Sequence, residues 1–249
     1  MAEHRPVMLI TGAARGIGAA VARAAAGQYD VVVNYSASAA AADDLATELR
    51  ALGSQPLTVQ ADVADEDAVK RMFAQVDQHF GRLDVLVNNA GIAGGYGPLD
   101  TVSGDMLARL WAVNISGPFL CSREAAARMR TDRGGAGGSI VNVSSKAAVL
   151  GGPNEWVYYA ASKGALDTMT TGLAKELATV GVRVNAVRPG LIESDFHLHA
   201  PPGRVERMAP EIPMERSGTP AEVATAVLWL ASAEASYVTG AFIDVTGGR

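Results

Sequence analysis

The phenol of Tyr159 and the ammonium of Lys163 stand four residues apart in Tyr158-Tyr159-Ala160-Ala161-Ser162-Lys163. On a helix that spacing puts both side chains on one face, one turn apart. An ordinary phenol titrates near about 10, too high for proton transfer at neutral pH unless a neighbouring cation stabilises the phenolate. Lys163 is placed to be that cation, whereas Tyr158 has Ser162 at its own i+4 position. A structural tyrosine beside a solvated lysine would give the same spacing, so the surrounding sequence must decide.

Upstream, Thr11-Gly12-Ala13-Ala14-Arg15-Gly16-Ile17-Gly18 follows the short apolar run Val7-Met8-Leu9-Ile10 and precedes an alanine-rich stretch. Strand, glycine turn and helix in that order aim backbone N–H groups at a pyrophosphate, with glycine allowing close approach. The next strand ends in Asn34-Tyr35-Ser36, without the carboxylate that would hold a ribose 2′-hydroxyl and repel a 2′-phosphate; Arg15 could approach such a phosphate. Asn88-Asn89-Ala90-Gly91 falls at the carboxyl end of another apolar strand, where open α/β sheets place ligands. Asn114 interrupts the apolar segment Leu110 to Ile115 and needs a polar partner. Ser144-Ser145 close the strand that precedes the tyrosine.

Apolar runs predict strands over 7–10, 30–35, 57–61, 83–87, 139–145, 182–187 and 242–245. Helical patterns fall between them over 19–26, 39–52, 65–80, 102–130 (interrupted near Gly117-Pro118), 158–179 and 220–231. Regular alternation without a linker predicts one Rossmann-like, doubly wound α/β domain over 1–249, its parallel sheet of about seven strands covered by helices on both faces. Pro201, Pro202, Pro210 and Pro213 break the pattern, so 192–217 is expected to be an irregular or partly helical insertion over the pocket.

Composition narrows the function. A chain of 249 residues, 49% of them hydrophobic, can bury a substantial core, and a net charge of −5 gives no footprint for nucleic acid or an anionic membrane. Cys121, the single cysteine, reads as a small buried hydrophobe and fits a reducing compartment. The charged stretch from Met1 to Pro6 has no apolar targeting region, and no run is long enough to span a membrane, so a cytoplasmic location is expected. His197 and His199 supply too few ligands for a metal site.

Taken together and in order, Thr11 to Gly18, Asn88 to Gly91, Asn114, Ser145, Tyr159 with Lys163, and Pro189-Gly190 resemble the motifs of the classical short-chain dehydrogenase/reductase family over essentially the whole chain. The resemblance implies that Tyr159 is the acid/base serving a carbonyl oxygen. It makes Lys163 the residue that lowers the tyrosine pKa and binds the nicotinamide ribose, Ser145 the holder of the substrate oxygen, and Asn114 the anchor of a water behind the lysine. It assigns Asp62 and Val63 to adenine, Asn88, Ala90 and Gly91 to the cofactor-facing turn, and Pro189, Gly190, Ile192 and Ser194 to the nicotinamide side. Tyr159 and Lys163 are thus both catalytic and cofactor-binding, alongside Gly12, Arg15, Gly16, Ile17, Gly18, Asn34, Tyr35 and Ser36. One departure stands out. Ser145 and Tyr159 are 14 positions apart (159 − 145), one more than the family's usual interval. Pairing with Tyr158 would restore the interval but lose the lysine, so the extra residue is placed in the loop from Lys146 to Val157.

The resemblance therefore predicts an oxidoreductase using NADP(H) by preference and NAD(H) as the alternative, acting on a small-molecule carbonyl or alcohol. A catalytically silent NADP(H) sensor is the competing class, and retention of Asn114, Ser145, Tyr159 and Lys163 speaks against it. The expected pocket lining, Gly94 to Leu99, Ala147 to Trp156 and Ile192 to Met214, has few fixed charges and suits a sugar, ketoester or steroid-like ketone. Trp156 either lines that pocket or packs behind it. The segment Tyr237 to Phe242 resembles the family's tetramer-forming terminus and implies a homotetramer.

Overall fold

The computed structural model describes residues 5–194 and 200–249; His197 and His199 lie outside them. Seven strands, β1 (Val7–Ile10), β2 (Asp30–Tyr35), β3 (Leu57–Gln60), β4 (Val85–Asn88), β5 (Gly138–Val143), β6 (Val182–Pro189) and β7 (Phe242–Val245), form one parallel sheet in the order β3-β2-β1-β4-β5-β6-β7. Strand order reverses between β1 and β4, which opens a crevice at their carboxyl ends. This is the Rossmann-like, doubly wound architecture that the alternating pattern predicts.

Adjacent residues on a strand face opposite sides, so the sheet divides its apolar residues between two cores. Met8, Ile10, Val31 and Val33 pack beneath helices α1 (Gly16–Ala25), α2 (Ala39–Ala51) and α9 (Pro220–Ala231). Val7, Leu9, Val32 and Leu86 face α3 (Glu66–Phe80), α5 (Gly117–Met129) and α7 (Val157–Leu177). Both faces being buried explains why the strands read as continuous apolar runs.

The elements depart from expectation where polar chemistry intervenes. α1 begins at Gly16, inside the glycine turn, because the turn is complete by Arg15. The expected break at Gly117-Pro118 is instead a π-helical segment, Ala112–Ser116, running continuously from α4 (Gly104–Trp111) into α5, with Pro118, which has no N–H to donate, in the first turn of α5. Ser144 and Ser145 lie beyond the end of β5, on the loop into α6 (Ala147–Leu150). The segment after β6 contains α8 (Arg204–Met208) and a 3-10 turn, Ala209–Glu211. Among the described residues, no helix is long and apolar enough to cross a membrane.

Candidate active site

A cleft of about 1230 Å³ runs along the carboxyl ends of the strands, from Gly12, Asn34 and Asp62 at one end to Trp156, Arg204 and Met208 at the other. Tyr159, Lys163 and Ser145 lie between these ends.

At the first end, side-chain amides tie the glycine turn to the sheet. Asn34 Oδ1 accepts from the Gly12 N–H at 3.2 Å, while its Nδ2 donates to the Val59 and Ala61 carbonyls at 3.3 and 3.0 Å. Asn34 therefore lines the cleft mainly as a structural weld, and its amide is already engaged. Asn89 Nδ2 donates to the Thr11 and Gly12 carbonyls at 2.9 and 3.0 Å. Gly12 has φ +62°, and a Cβ there would stand 2.9 Å from Ala90 Cα, so only glycine lets the turn close against the Asn89-Ala90 loop. Gly16, also left-handed at φ +54°, keeps the floor of the turn open toward Ser194. Arg15, Ile17, Ser36, Val63, Ala90 and Gly91 complete this half of the lining.

Asp62 faces Arg109 of α4, the carboxylate 2.8 Å from the guanidinium. Burial pushes the Asp62 carboxyl up, but the Ala64 N–H and Arg109 outweigh it and leave it below the usual carboxylate range. Sequence alone does not reveal Arg109, which reaches this site from α4, far from Asp62 along the chain.

The middle of the cleft is assembled from three elements. The Tyr159 hydroxyl and the Ser145 side chain are hydrogen-bonded to each other, and Ser145 Oγ also accepts the Ala147 N–H at 3.1 Å. Ser144 turns the other way, its hydroxyl donating to Asp167 at 2.6 Å. The Tyr158 hydroxyl donates to the Glu155 carbonyl at 3.3 Å. The structure thus brings together Ser145 and Tyr159 rather than their neighbours, and the longer loop is absorbed at Gly151, Gly152 and Asn154, all with positive φ.

Lys163 Nζ donates to the Val143 carbonyl at 2.8 Å and lies 5.7 Å from the Tyr159 ring centre. Burial pushes this ammonium down to about 8, with Asp167 acting in the opposite direction. Burial also pushes the Tyr159 phenol up to about 12, against the Ser145 hydrogen bond. In this structure the phenol stands above its ordinary value because burial outweighs the Ser145 hydrogen bond. Desolvation sets the direction of both shifts, and the lysine is held by a strand-end carbonyl.

Asn114 is wholly buried in the π-helical segment. Its Oδ1 accepts the Ile92 N–H at 2.9 Å, and its Nδ2 donates to the Ile92 carbonyl and to Ser162 Oγ at 2.9 and 3.0 Å. A Cβ on Gly91 would stand 3.5 Å from both Asn114 Oδ1 and Lys163 Nζ, so glycine keeps a space beside these groups.

Four expected site residues stand outside the lining of this cleft: Gly18, Tyr35, Asn88 and Asn114. A Cβ on Gly18 would meet Asn89 Nδ2 at 2.6 Å, so Gly18 serves packing. Asn88 points into the helix layer and donates to Ser122 and Asn142 at 3.0 and 2.9 Å; its neighbour Asn89 faces the cleft instead. Strand alternation is the sequence signal that separates the two. Tyr35 borders a smaller side cavity of about 130 Å³, shared with Gly12, Arg15, Ser36, Ala37 and Ser38. Pro189, Gly190, Ile192 and Ser194 do line the cleft.

The far end carries more charge than expected. Arg204 Nη2 meets Glu155 Oε2 at 2.6 Å, the Arg204 guanidinium stacks 4.5 Å over Trp156, and the Tyr96 hydroxyl donates to Glu155 at 3.0 Å. Burial pushes Glu155 up, yet Arg204 and Tyr96 hold it below the usual range. Trp156 both packs and lines the cleft, its indole N–H donating to the Gly95 carbonyl at 2.7 Å. Glu211 and Arg249 also border this end. No group of three or more candidate metal ligands occurs among the described residues.

The residues present fit a dinucleotide: a glycine turn opening a helix, a close-approach glycine at its centre and a polar floor at the strand ends. The chain matches the enoyl-(acyl carrier protein) reductase family model over residues 12–249. It is 48% identical over 245 residues to the uncharacterized oxidoreductase YgfF of Escherichia coli (strain K12), covering 98% of this chain and 99% of that one. It is 40% identical to the 3-oxoacyl-(acyl-carrier-protein) reductase FabG of Staphylococcus aureus (strain Mu50), covering 96% of each. Among solved structures, it resembles a 3-ketoacyl-(acyl-carrier-protein) reductase from Brucella melitensis complexed with NADH (TM-score 0.91, 34% identity, 98% of each chain). It also resembles a short-chain dehydrogenase from Burkholderia cenocepacia J2315 in complex with NADP (TM-score 0.90, 32% identity, 98% and 97% of the chains).

Proposed function

The chain belongs to the classical short-chain dehydrogenase/reductase family of oxidoreductases, and from that premise we propose that it reduces a small carbonyl substrate with NADP(H), or oxidises the corresponding secondary alcohol. The hydrogen-bonded Ser145–Tyr159 pair beside Lys163, in the middle of a cleft that begins at the glycine turn, carries this reading.

In the reductive direction the reduced nicotinamide supplies the hydride that forms the new C–H bond. The chain's own residues manage the oxygen. Ser145 holds the carbonyl oxygen, and the Tyr159 hydroxyl gives it a proton as negative charge develops. A phenol held up at about 12 is fully protonated at neutral pH, the form a proton donor needs. Lys163, charged below about 8, offers a cation to the phenolate left behind. Asn114 fixes the Ile92 loop and Ser162 behind that lysine, where a water would re-supply the proton.

NADP(H) preference is supported by the side cavity at Arg15, Tyr35 and Ser36, which no carboxylate lines, so a 2′-phosphate meets no repulsion there. A higher kcat/KM with NADPH than with NADH is expected, and a clear NADH preference would contradict this part. We read residues 1–249 as one catalytic domain with 192–217 as its substrate loop, acting in the cytoplasm as a homotetramer. Size-exclusion chromatography with light scattering checks the assembly, and a monomer alone would remove it.

The catalytic assignment is tested by comparing Tyr159→Phe with Tyr158→Phe in NADPH oxidation against β-ketoesters and cyclic ketones. Activity should vanish only in the first variant.

A further inference from the structure

Asp167 lies one turn beyond Lys163 on α7, outside the family motifs read from the sequence. Its Oδ1 accepts the Ser144 hydroxyl at 2.6 Å, and its Oδ2 accepts Arg188 Nε at 2.9 Å and lies 2.8 Å from Nη2. The Ser144 hydroxyl also lies 3.3 Å from the Lys163 carbonyl, so strand end and helical turn meet at this point. Beyond Arg188, which stacks 4.1 Å over Phe242, Asp244 pairs with Lys146 at 2.6 Å. Ser144 and Lys146 are the two chain neighbours of Ser145. Both are anchored by side-chain contacts, and the Lys146 N–H also donates to the Pro189 carbonyl at 2.9 Å.

We propose that Asp167 is a positioning residue for the reaction: through Ser144 and Arg188 it clamps the strand ends beside Ser145 to the turn of α7 that bears Lys163, which also places its carboxylate one helical turn from that lysine. The proposal rests on the catalytic reading of Tyr159 and Lys163 given above. The Lys163 ammonium has few other charges to answer to. Its own helix presents Tyr159, a neutral phenol, and Asp167. β5 presents the Val143 carbonyl, and the Gly91 loop and π-helical segment present the neutral Asn114 amide. From β6, Arg188 is engaged on the far oxygen of Asp167, and Lys146 and Asp244 neutralise each other one step further out. Burial works against the ammonium, and Asp167 is the charge that opposes it.

Charge and clamp are separable by substitution. Asp167→Asn keeps the shape and removes the charge. Its alkaline limb of reductive kcat should move down by about one pH unit, the scale set by a nearby opposite charge, with activity above pH 8 falling about tenfold. Ser144→Ala removes the clamp and keeps the charge; kcat should fall about fivefold with the limb unmoved. An Asp167→Asn enzyme whose limb and kcat match the parent overturns the proposal, even if its Tm is lower, because a structural role alone would not move the pH profile. Should Asp167→Asn not fold, a Ser144→Ala variant with parental kcat overturns the clamp by itself. Activity surviving Tyr159→Phe would instead contradict the underlying catalytic reading, whereas a dead Tyr159→Phe beside an unaltered Asp167→Asn contradicts only the role of Asp167.

Discussion

The two ends of the cleft are built from different materials. At the glycine-turn end, backbone groups and side-chain amides fix the geometry: the buried Asn34 and the half-buried Asn89 lock the glycine turn to neighbouring strands, and the left-handed Gly12 permits a contact no side chain would allow. At the other end, the loop with positive φ at Gly151, Gly152 and Asn154 meets α8 through the Glu155–Arg204 ion pair, whose guanidinium stacks on Trp156. A rigid end suits a ligand of constant shape, and an end pinned by side chains can be re-specified by a few substitutions. The Ser145–Tyr159 pair and Lys163 stand at the junction, between the half fixed by backbone and amides and the half pinned by side chains.

Substitutions at the two ends should therefore separate cofactor binding from substrate binding. Gly12→Val forces a branched side chain into φ +62° and against Ala90. NADPH affinity, read by fluorescence titration, should fall about 100-fold, the order of overpacking that costs about 3 kcal/mol. An unchanged Kd would mean the turn is not the rigid element described.

At the junction, the sign of the pH dependence follows from the two buried groups. Tyr159, raised to about 12, stays protonated throughout the working range, and Lys163, lowered to about 8, loses its charge as pH rises through that value. Reductive kcat should therefore be flat below pH 7 and fall about tenfold per pH unit well above 8. A limb near the ordinary lysine value would show that burial does not govern this site.

Glu155→Gln should have the smallest effect and leave the glycine-turn end untouched. The Glu155 side chain is 30% exposed while that of Arg204 is 8% exposed, so losing the pair costs less than breaking a fully buried one, about 1–2 kcal/mol. The KM for a ketone should rise about fivefold while the NADPH Kd stays constant. A parallel loss of cofactor affinity would erase the distinction between the ends.

Legibility in the sequence follows the same division. β2, α9 and β7 have the ends that the apolar runs and the helical pattern over 220–231 predict, because these features are local. The glycine turn and the Tyr159–Lys163 spacing are equally local. Glu155 and Arg204 are 49 positions apart, and nothing in either neighbourhood announces their meeting, so the sequence shows few fixed charges for the expected pocket lining. The direction of the Tyr159 shift is also out of reach, since a four-residue spacing says nothing of the burial that sets it. Asn88 and Asn89 exchange roles for a simpler reason: one is the last residue of β4, facing the helix layer, and the other begins the loop.

The catalytic role of Tyr159 is tested most directly by one paired measurement, NADPH oxidation by Tyr159→Phe and Tyr158→Phe with the same ketones and with NADPH binding measured in parallel. Tyr159→Phe should lose about 10²- to 10⁴-fold in kcat, the range for removing a general acid, while still binding NADPH, and Tyr158→Phe should keep most of its activity. Loss of turnover in Tyr158→Phe alone would contradict the account.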